Sequence, residues 1–148
     1  MLNTINPAYA LNPAGLPTHR ASMLSDIIWE VFRRNVTVDI IKRKCIIVVL
    51  QLQGAYQGCL MLNQKGNQWE LTNFGIYEAY RKCGYGVQML NAALDQIPKE
   101  NALHVTVHEK LPMSKQLTLL DGKKYFEKHG FEVVNATPQW VELKKIKN

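Results

Sequence analysis

Two glycines, Gly84 and Gly86, follow the cationic pair Arg81 and Lys82 and stand directly before a run of residues with helical spacing. The first amides of a helix have no partner within the helix, and the helix dipole gives them partial positive charge. Glycine lets an anion approach the backbone because it has no Cβ. The segment is therefore suited to hold a pyrophosphate group. The competing interpretation is a simple turn beside solvated cations.

The two common phosphate-binding motifs are absent from the sequence. There is no GxxxxGK[ST] P-loop, and Met89 stands at the third glycine position of a dinucleotide-binding GxGxxG. The three cysteines are scattered and form no CxxC pair. This pattern favours free thiols in a cytoplasmic protein and offers no zinc spacing, so we expect no metal site.

The elements that position the glycine segment follow from hydrophobic periodicity. Helical spacing predicts a helix over 18–34, whereas residues 36–43 are ambiguous between a helix and a strand. Three β-rich runs, 45–53, 57–62 and 68–77, predict an antiparallel meander.

The second half of the chain alternates between helix and strand. We expect a helix over 86–97, a strand over 102–108, and a helix over 121–130 with Asp121 as N-cap and Gly130 at its end. Two closing strands follow. A strand, turn, helix and strand after a meander predict a mixed α/β sheet with helices on its faces.

The composition is that of a globular protein, and 148 residues suit one domain. We expect an extended N-terminal arm over 1–18, with a short strand near 9–11, and a single domain over 19–148. The longest apolar run, 45–50, is too short to cross a membrane. The net charge of +6 fits either a solvated surface or an anionic ligand.

The segment "WELTNFGIYEAYRKCGYGVQML" resembles the strand, glycine turn and helix of the GNAT acyltransferase superfamily, although Glu78 replaces the usual proline. The segment "YFEKHGFEVV" resembles a later signature of that family. The matching positions in the first segment are Glu70, Leu71, Phe74, Ile76, Tyr80, Arg81, Gly84 and Gly86. The resemblance covers about residues 45–143.

The resemblance implies an α/β (α+β) fold: a mixed, mostly antiparallel sheet with helices on both faces and a V-shaped splay between two central parallel strands. It implies an acetyl-CoA-dependent N-acetyltransferase that transfers the acetyl group directly to a primary amine, through a tetrahedral intermediate. The residues expected to contact acetyl-CoA are Phe74, Ile76, Arg81, Lys82, Cys83, Gly84, Tyr85, Gly86, Val87 and Phe126.

Glu70 lies eleven residues before Arg81, where some members of the family place a general base. Strand alternation predicts that Glu70 shares a face with Thr72, Phe74 and Ile76. The alternative for Glu70 is a structural acid. His104 and His108 share one face of the next predicted strand, where either could act as a base or line the acceptor pocket; a structural role is the alternative.

The acid that would protonate the leaving thiolate departs from the family pattern. The family often uses a tyrosine four residues before the glycine of its GF pair, and Phe126 stands there. Tyr125 is adjacent, but one helical step turns it by about 100°. An asparagine is also replaced, by Leu119. We assign Tyr125 as the acid and expect the Phe126 ring to point toward the sulfur; the alternatives are Tyr80, Tyr85, water and the helix dipole.

The expected partner is a small-molecule or peptide amine, and the protein is expected to be a monomer or homodimer without membrane association. One alternative is a catalytically weak or silent CoA-binding regulatory module, which the replacements at Phe126 and Leu119 would explain. Another is an enzyme for RNA-borne amines such as aminoacyl-tRNA. The basic charge fits RNA, but no aromatic residues are interleaved with the basic clusters, so nucleic acid is not favoured.

Overall fold

The computed structural model describes residues 6–108 and 119–147, with the side chains of His108 and residues 119–121 outside the described set. Its α-helices are α1 (Thr18–Phe32), α2 (Val38–Lys42), α3 (Tyr85–Asp95) and α4 (Leu119–Lys128). Its strands are β1 (Ala8–Leu11), β2 (Ile46–Leu52), β3 (Ala55–Lys65), β4 (Gln68–Ile76), β5 (Ala102–His108), β6 (Glu132–Ala136) and β7 (Trp140–Ile146).

The strands form one sheet in the order β1-β2-β3-β4-β5-β7-β6. Neighbouring strands are antiparallel except β4 and β5, which α3 connects as a parallel crossover. The mixed, mostly antiparallel sheet predicted from the sequence is therefore confirmed.

The sheet is covered by helices on both faces. Strand β2 shows this best, because Ile47 and Val49 pack in the cluster with α1, whereas Val48 and Leu50 pack in the cluster with α3 and α4. A continuous β-branched run fits this position because both of its faces are buried.

The central parallel strands separate part-way along their length. The described pairing of β4 with β5 runs from Gln68 with Ala102 to Leu71 with Val105 and ends there. Strand β4 continues to Ile76 on β3, and β5 continues along β7. The unpaired halves enclose a V-shaped cleft, as the resemblance implied.

Several local predictions change in detail. The ambiguous segment after α1 forms α2, which Thr37 caps by accepting a hydrogen bond from the Ile40 amide. Asp121 lies inside α4 and is not its N-cap, because the helix already begins at Leu119. The expected short strand in the N-terminal arm is present as β1, paired with β2 at the edge of the sheet.

Candidate active site

The glycine segment joins the open end of β4 to α3. Gly84 is the N-cap of α3 with a φ of 83°, and Lys82 also has a positive φ of 62°. No side chain caps this helix and its first turn carries no acidic residue. The Gln88 amide donates to the Gly84 carbonyl at 3.4 Å. The amides before Gln88 thus lie at a helix start suited to an anion.

Arg81 has a structural contact that the sequence did not predict. Its Nε donates to the carbonyl oxygen of Ile76 at 2.8 Å, which ties the glycine segment to the last residue of β4. Lys82 and Cys83 are exposed, and the Cys83 thiol bonds to the Arg81 carbonyl at 3.4 Å. Lys82 therefore presents its cationic side chain to solvent beside the start of α3.

The other predicted cofactor contacts surround this helix start. Phe74 and Ile76 are half-buried and pack with the core under α3. Tyr85 is half-buried, whereas Val87 is 37% exposed. The structure thus brings the β4 end and the first turn of α3 together at one side of the cleft.

Tyr125 of α4 reaches the first turn of α3. A Cβ added at Gly86 would lie 3.0 Å from the Tyr125 hydroxyl oxygen, 3.7 Å from Phe74 and 3.8 Å from Ile76. Gly86 is thus a close-approach glycine, and any side chain there would meet the tyrosine. A Cβ at Gly84 would meet nothing within 4 Å, so glycine is favoured there by its positive φ and not by a lack of space.

The Tyr125 hydroxyl oxygen is buried and has no hydrogen-bond partner among the described residues. Its ring stands edge-on to His129, with centroids 4.8 Å apart, and to Phe74 at 6.3 Å. Burial raises the pKa of Tyr125 above its usual value, so the phenol keeps its proton at neutral pH. The site therefore contains a protonated donor without an acceptor.

Phe126 lies in a different environment from Tyr125. The Phe126 residue is only 7% exposed and packs in the core, 5.2 Å between centroids from Phe131. We expected this ring to point toward the sulfur of bound CoA, and the structure places it in the core cluster under α3. Its distance from the sulfur stays a prediction. Tyr125, which has a polar end, takes the side toward α3.

A β-bulge in β4 changes the predicted face of Glu70. Cys59 pairs with Gly75 and Met61 with Thr72, so two residues of β4 stand opposite Leu60 of β3. The inserted residue is Asn73, with a φ of 51°. An inserted residue reverses the alternation of all side chains that follow it.

Glu70 therefore does not share a face with Phe74 and Ile76. Phe74 and Ile76 pack on the α3 side with Trp69 and Leu71, which alternate with Glu70. The prediction that Glu70 lies beside these apolar side chains is wrong, because it assumed an uninterrupted two-residue period.

Glu70 lies on the opposite face, where it is exposed. It stands in register with Asn63 on β3 and with His104 on β5. Thr72 pairs with Met61, which belongs to the α1 side. The Thr72 hydroxyl oxygen and His104 Nε2 are buried and have no described partner.

This polar group of Glu70, Thr72 and His104 borders the point where β4 and β5 separate. The cleft thus has a carboxylate on one face and the Tyr125 phenol on the other. The side chain of His108, the second histidine predicted here, lies outside the described set.

A family model described as the acetyltransferase (GNAT) domain matches residues 43–133, which is more than half of the chain. The chain belongs to the GNAT acetyltransferase family. The resemblance seen in the sequence is thereby confirmed. A search of curated protein sequences finds no match.

Solved structures of other GNAT proteins share the fold. The aminoglycoside 6'-N-acetyltransferase from Enterococcus faecium has a TM-score of 0.77 and 14% identity, covering 95% of this chain and 97% of that one. The paia N-acetyltransferase from Thermoplasma acidophilum, solved in complex with coenzyme A, has a TM-score of 0.73 and 12% identity, covering 94% of this chain and 98% of that one. The ribosomal-protein-S18-alanine N-acetyltransferase from Escherichia coli has a TM-score of 0.70 and 13% identity, covering 95% of this chain and 94% of that one.

Other features of this GNAT chain lie away from the cleft. Burial raises the pKa of the Cys59 thiol to about 12, so it is not a nucleophile. The described residues contain no His, Cys, Asp and Glu cluster that could hold a metal ion. No helix among them has the length and apolar character needed to cross a membrane. A shallow concavity at the C-terminal end of α3 is bordered by Lys147, whose Nζ already binds the Leu94 carbonyl at 2.6 Å.

Sequence reasoning missed Asn73 and the arginine that contacts it, Arg34, whereas Thr72 was predicted to share the face of Glu70. One signal was available for Asn73. Asparagine is enriched at positive φ, and this one interrupts an apolar strand directly before Phe74 and Gly75. The pattern is compatible with a β-bulge there but does not by itself predict one.

Proposed function

We propose that this protein is an acetyl-CoA-dependent N-acetyltransferase that transfers an acetyl group to a primary amine. The observation that carries the proposal is the arrangement of the cleft: an uncapped helix start and a protonated Tyr125 lie on one face, and Glu70 lies on the other. Family membership supports the reaction class.

The residues at the helix start fit the phosphate end of acetyl-CoA. The amides from Lys82 to Val87 and the exposed Lys82 side chain would hold the pyrophosphate, because the first turn of α3 has no acidic residue and no side-chain cap. Backbone groups of Phe74 to Ile76, on the half of β4 that β5 does not pair, would bind the pantetheine arm. Bound acetyl-CoA supplies a thioester whose carbonyl carbon accepts the amine through a tetrahedral intermediate.

The two proton transfers are assigned to opposite faces of the cleft. Glu70 accepts the proton that the amine loses as its nitrogen bonds to the carbonyl carbon, through a water molecule because the carboxylate is exposed. Tyr125 donates its hydroxyl proton to the thiolate as the carbon–sulfur bond breaks. Its raised pKa keeps that proton in place until then. The products are an acetamide and free CoA, after which Glu70 releases its proton to water and the Tyr125 phenolate takes one from water.

The acceptor enters from the face of Glu70, Thr72 and His104, where the Thr72 hydroxyl oxygen and His104 Nε2 have no hydrogen-bond partner among the described residues. The similar structures include enzymes for aminoglycosides and for a ribosomal-protein alanine, which supports an amine on either a small molecule or a peptide. The free thiols of Cys45, Cys59 and Cys83 fit a cytoplasmic enzyme, within a single catalytic domain over 19–148.

The proposal is tested by incubating the protein with acetyl-CoA and a panel of amines: an aminoglycoside, a polyamine, free amino acids, a peptide with a free N-terminus and an aminoacyl-tRNA. We expect amine-dependent release of CoA and an acceptor heavier by one acetyl group in mass spectrometry. Calorimetry on the same preparation should show acetyl-CoA binding.

The other outcomes distinguish the alternatives. Binding of acetyl-CoA without transfer to any amine would identify a silent CoA-binding module. Transfer to aminoacyl-tRNA alone, with affinity that falls steeply with salt, would identify an RNA-directed enzyme. Absence of binding at millimolar acetyl-CoA would refute the proposal.

A further inference from the structure

Asn73, the inserted residue of the β4 bulge, is buried although it is polar. The residue is 9% exposed and has a left-handed φ of 51°, a conformation that asparagine adopts more readily than other residues with a side chain. A buried amide side chain is stable only where its polar atoms have hydrogen-bond partners. The contacts of Asn73 therefore decide whether the bulge is stable.

The strongest of these contacts comes from the segment that follows α1. Arg34 Nη2 donates to Asn73 Oδ1 at 2.7 Å, and the Arg34 guanidinium lies 5.4 Å from the centroid of the Phe32 ring. Two further hydrogen bonds of Asn73 among the described residues involve sulfur: its Nδ2 donates to Met61 Sδ at 3.4 Å, and Cys59 Sγ donates to its carbonyl at 3.4 Å. A hydrogen bond from a charged donor is stronger than bonds to or from sulfur.

Hydrogen bonds on both sides of Arg34 fix the backbone of its segment. Arg33 ends α1 with a left-handed φ of 52°, and its amide donates to the Trp29 carbonyl at 2.9 Å. The Ser25 hydroxyl then donates to the Val36 carbonyl at 2.7 Å, which fixes the segment beyond Arg34. The backbone of Arg34 therefore lies between two hydrogen-bonded positions, and its side chain reaches the bulge at Asn73.

The same end of α1 also contacts β4 two residues later. A Cβ at Gly75 would lie 3.1 Å from both Phe32 and Val31, so the helix end packs directly on the strand backbone. The α1 end and the bulge thus form one contact region on the open half of β4.

We infer that Arg34 is a positioning residue for acetyl transfer, acting through Asn73. By holding Asn73 it maintains the bulge, which places Glu70 on one face of the cleft while Phe74 and Ile76 face α3. Without the inserted residue, the two-residue period would turn Phe74 and Ile76 to the face of Glu70. The inference rests on the proposed function.

The test compares Arg34→Met with Arg33→Met. Both variants remove one positive charge at the end of α1, but the Arg33 guanidinium lies over Trp29, whereas that of Arg34 donates to Asn73. We expect Arg34→Met to lower kcat of acetyl transfer by about tenfold to a hundredfold, since a displacement of about 1 Å in a reacting group can cost that much. The Kd for acetyl-CoA should change far less. Arg33→Met should keep the wild-type kcat, and Arg34→Lys should restore part of the loss.

A second background separates positioning from direct contact with the acceptor. Asn73→Gly removes the amide side chain but suits the left-handed φ. In this background Arg34→Met should have little further effect, because the bond that it removes is already absent. An equal loss in both backgrounds would show that Arg34 does not act through Asn73, and equal kcat for Arg34→Met and Arg33→Met would also overturn the inference.

The backbone readout does not depend on turnover. The amide NMR chemical shifts of residues 72–76 in the cofactor-free protein should differ from wild type in Arg34→Met and remain unchanged in Arg33→Met. This result would stand even if no acceptor is acetylated. Unchanged shifts in Arg34→Met would refute the inference whether or not the protein is an enzyme. If Arg34→Met does not fold, Arg34→Lys carries both measurements.

Discussion

The hydroxyl oxygen of Tyr125 lies 3.0 Å from where a Cβ of Gly86 would stand, so an α4 side chain fills the space that a glycine in the first turn of α3 leaves open. This contact joins two motifs that are almost forty residues apart in the sequence. It also separates the roles of the two glycines: Gly84 allows the turn, and Gly86 allows Tyr125 to reach the helix start.

Replacing Tyr125 with phenylalanine should lower kcat by about 10²-fold, the scale for loss of a general acid. The ring contacts with His129 and Phe74 would remain, so the Kd for acetyl-CoA should stay close to that of wild type. Phe126→Tyr is the matched control, because it adds a hydroxyl in the core beside Phe131 and should not raise turnover. Steady-state kinetics together with calorimetry measures both effects. A Tyr125→Phe variant with wild-type kcat would remove Tyr125 as the acid.

The pH dependence of kcat follows from the raised pKa of Tyr125. The phenol is active in its protonated form, which predominates at pH values below that pKa. We therefore expect kcat to stay constant on the alkaline side until the pH exceeds the usual tyrosine range near 10. The decline should then disappear in Tyr125→Phe, whose lower rate no longer depends on this proton. A decline that persists unchanged in the variant would assign it to another group.

Gly86→Ala should lower kcat while Gly84→Ala should lower stability. The added methyl at Gly86 would displace the Tyr125 hydroxyl, so combining it with Tyr125→Phe should cost much less than the sum of the two single effects. At Gly84 the methyl meets no atom but the φ of 83° is unfavourable, which should destabilise folding by about 1–2 kcal/mol. Thermal unfolding and kinetics of the four variants distinguish these effects. Additive losses at Gly86 and Tyr125 would contradict the contact.

Glu70→Gln should lower kcat by roughly 10²–10⁴-fold with little change in acetyl-CoA affinity, because the carboxylate is assigned only to the proton of the amine. Glu132→Gln on the exposed edge strand β6 serves as the control for charge. Full turnover of Glu70→Gln across the pH range would leave Glu70 a structural acid.

The three thiols should differ in reactivity with iodoacetamide. Burial raises the pKa of the Cys59 thiol to about 12, so little of it is ionised and it should stay unlabelled. Cys45 and Cys83 are exposed and should react. Acetyl-CoA should slow labelling of Cys83, in the glycine segment, but not of Cys45. Mass spectrometry of labelled peptides reads this out, and equal protection of both would place the cofactor elsewhere.

The sequence was sufficient for the order of elements and for the sheet, because these follow from periodicity over long segments. It was sufficient also for the glycine segment at the start of α3. It was not sufficient for the face of Glu70, since alternation assumes a constant period and the bulge at Asn73 depends on a hydrogen bond from Arg34, 39 residues earlier.

The positions of the Tyr125 and Phe126 rings were likewise beyond the sequence, although Tyr125 was assigned as the acid. Periodicity fixes the angle of about 100° between neighbouring residues of a helix but not the rotation of α4 as a whole. That rotation is set by burial of Phe126 against Phe131. The division of the chain at residue 18 stays a prediction.

The position of the CoA sulfur relative to α4 tests the account most directly. A crystal structure of the complex with CoA should show the sulfur in the cleft between β4 and β5, within hydrogen-bond reach of the Tyr125 hydroxyl, with the pyrophosphate at the amides of Lys82 to Val87. A sulfur nearer to the Phe126 ring than to the Tyr125 hydroxyl, or a cofactor bound outside the cleft, would contradict it.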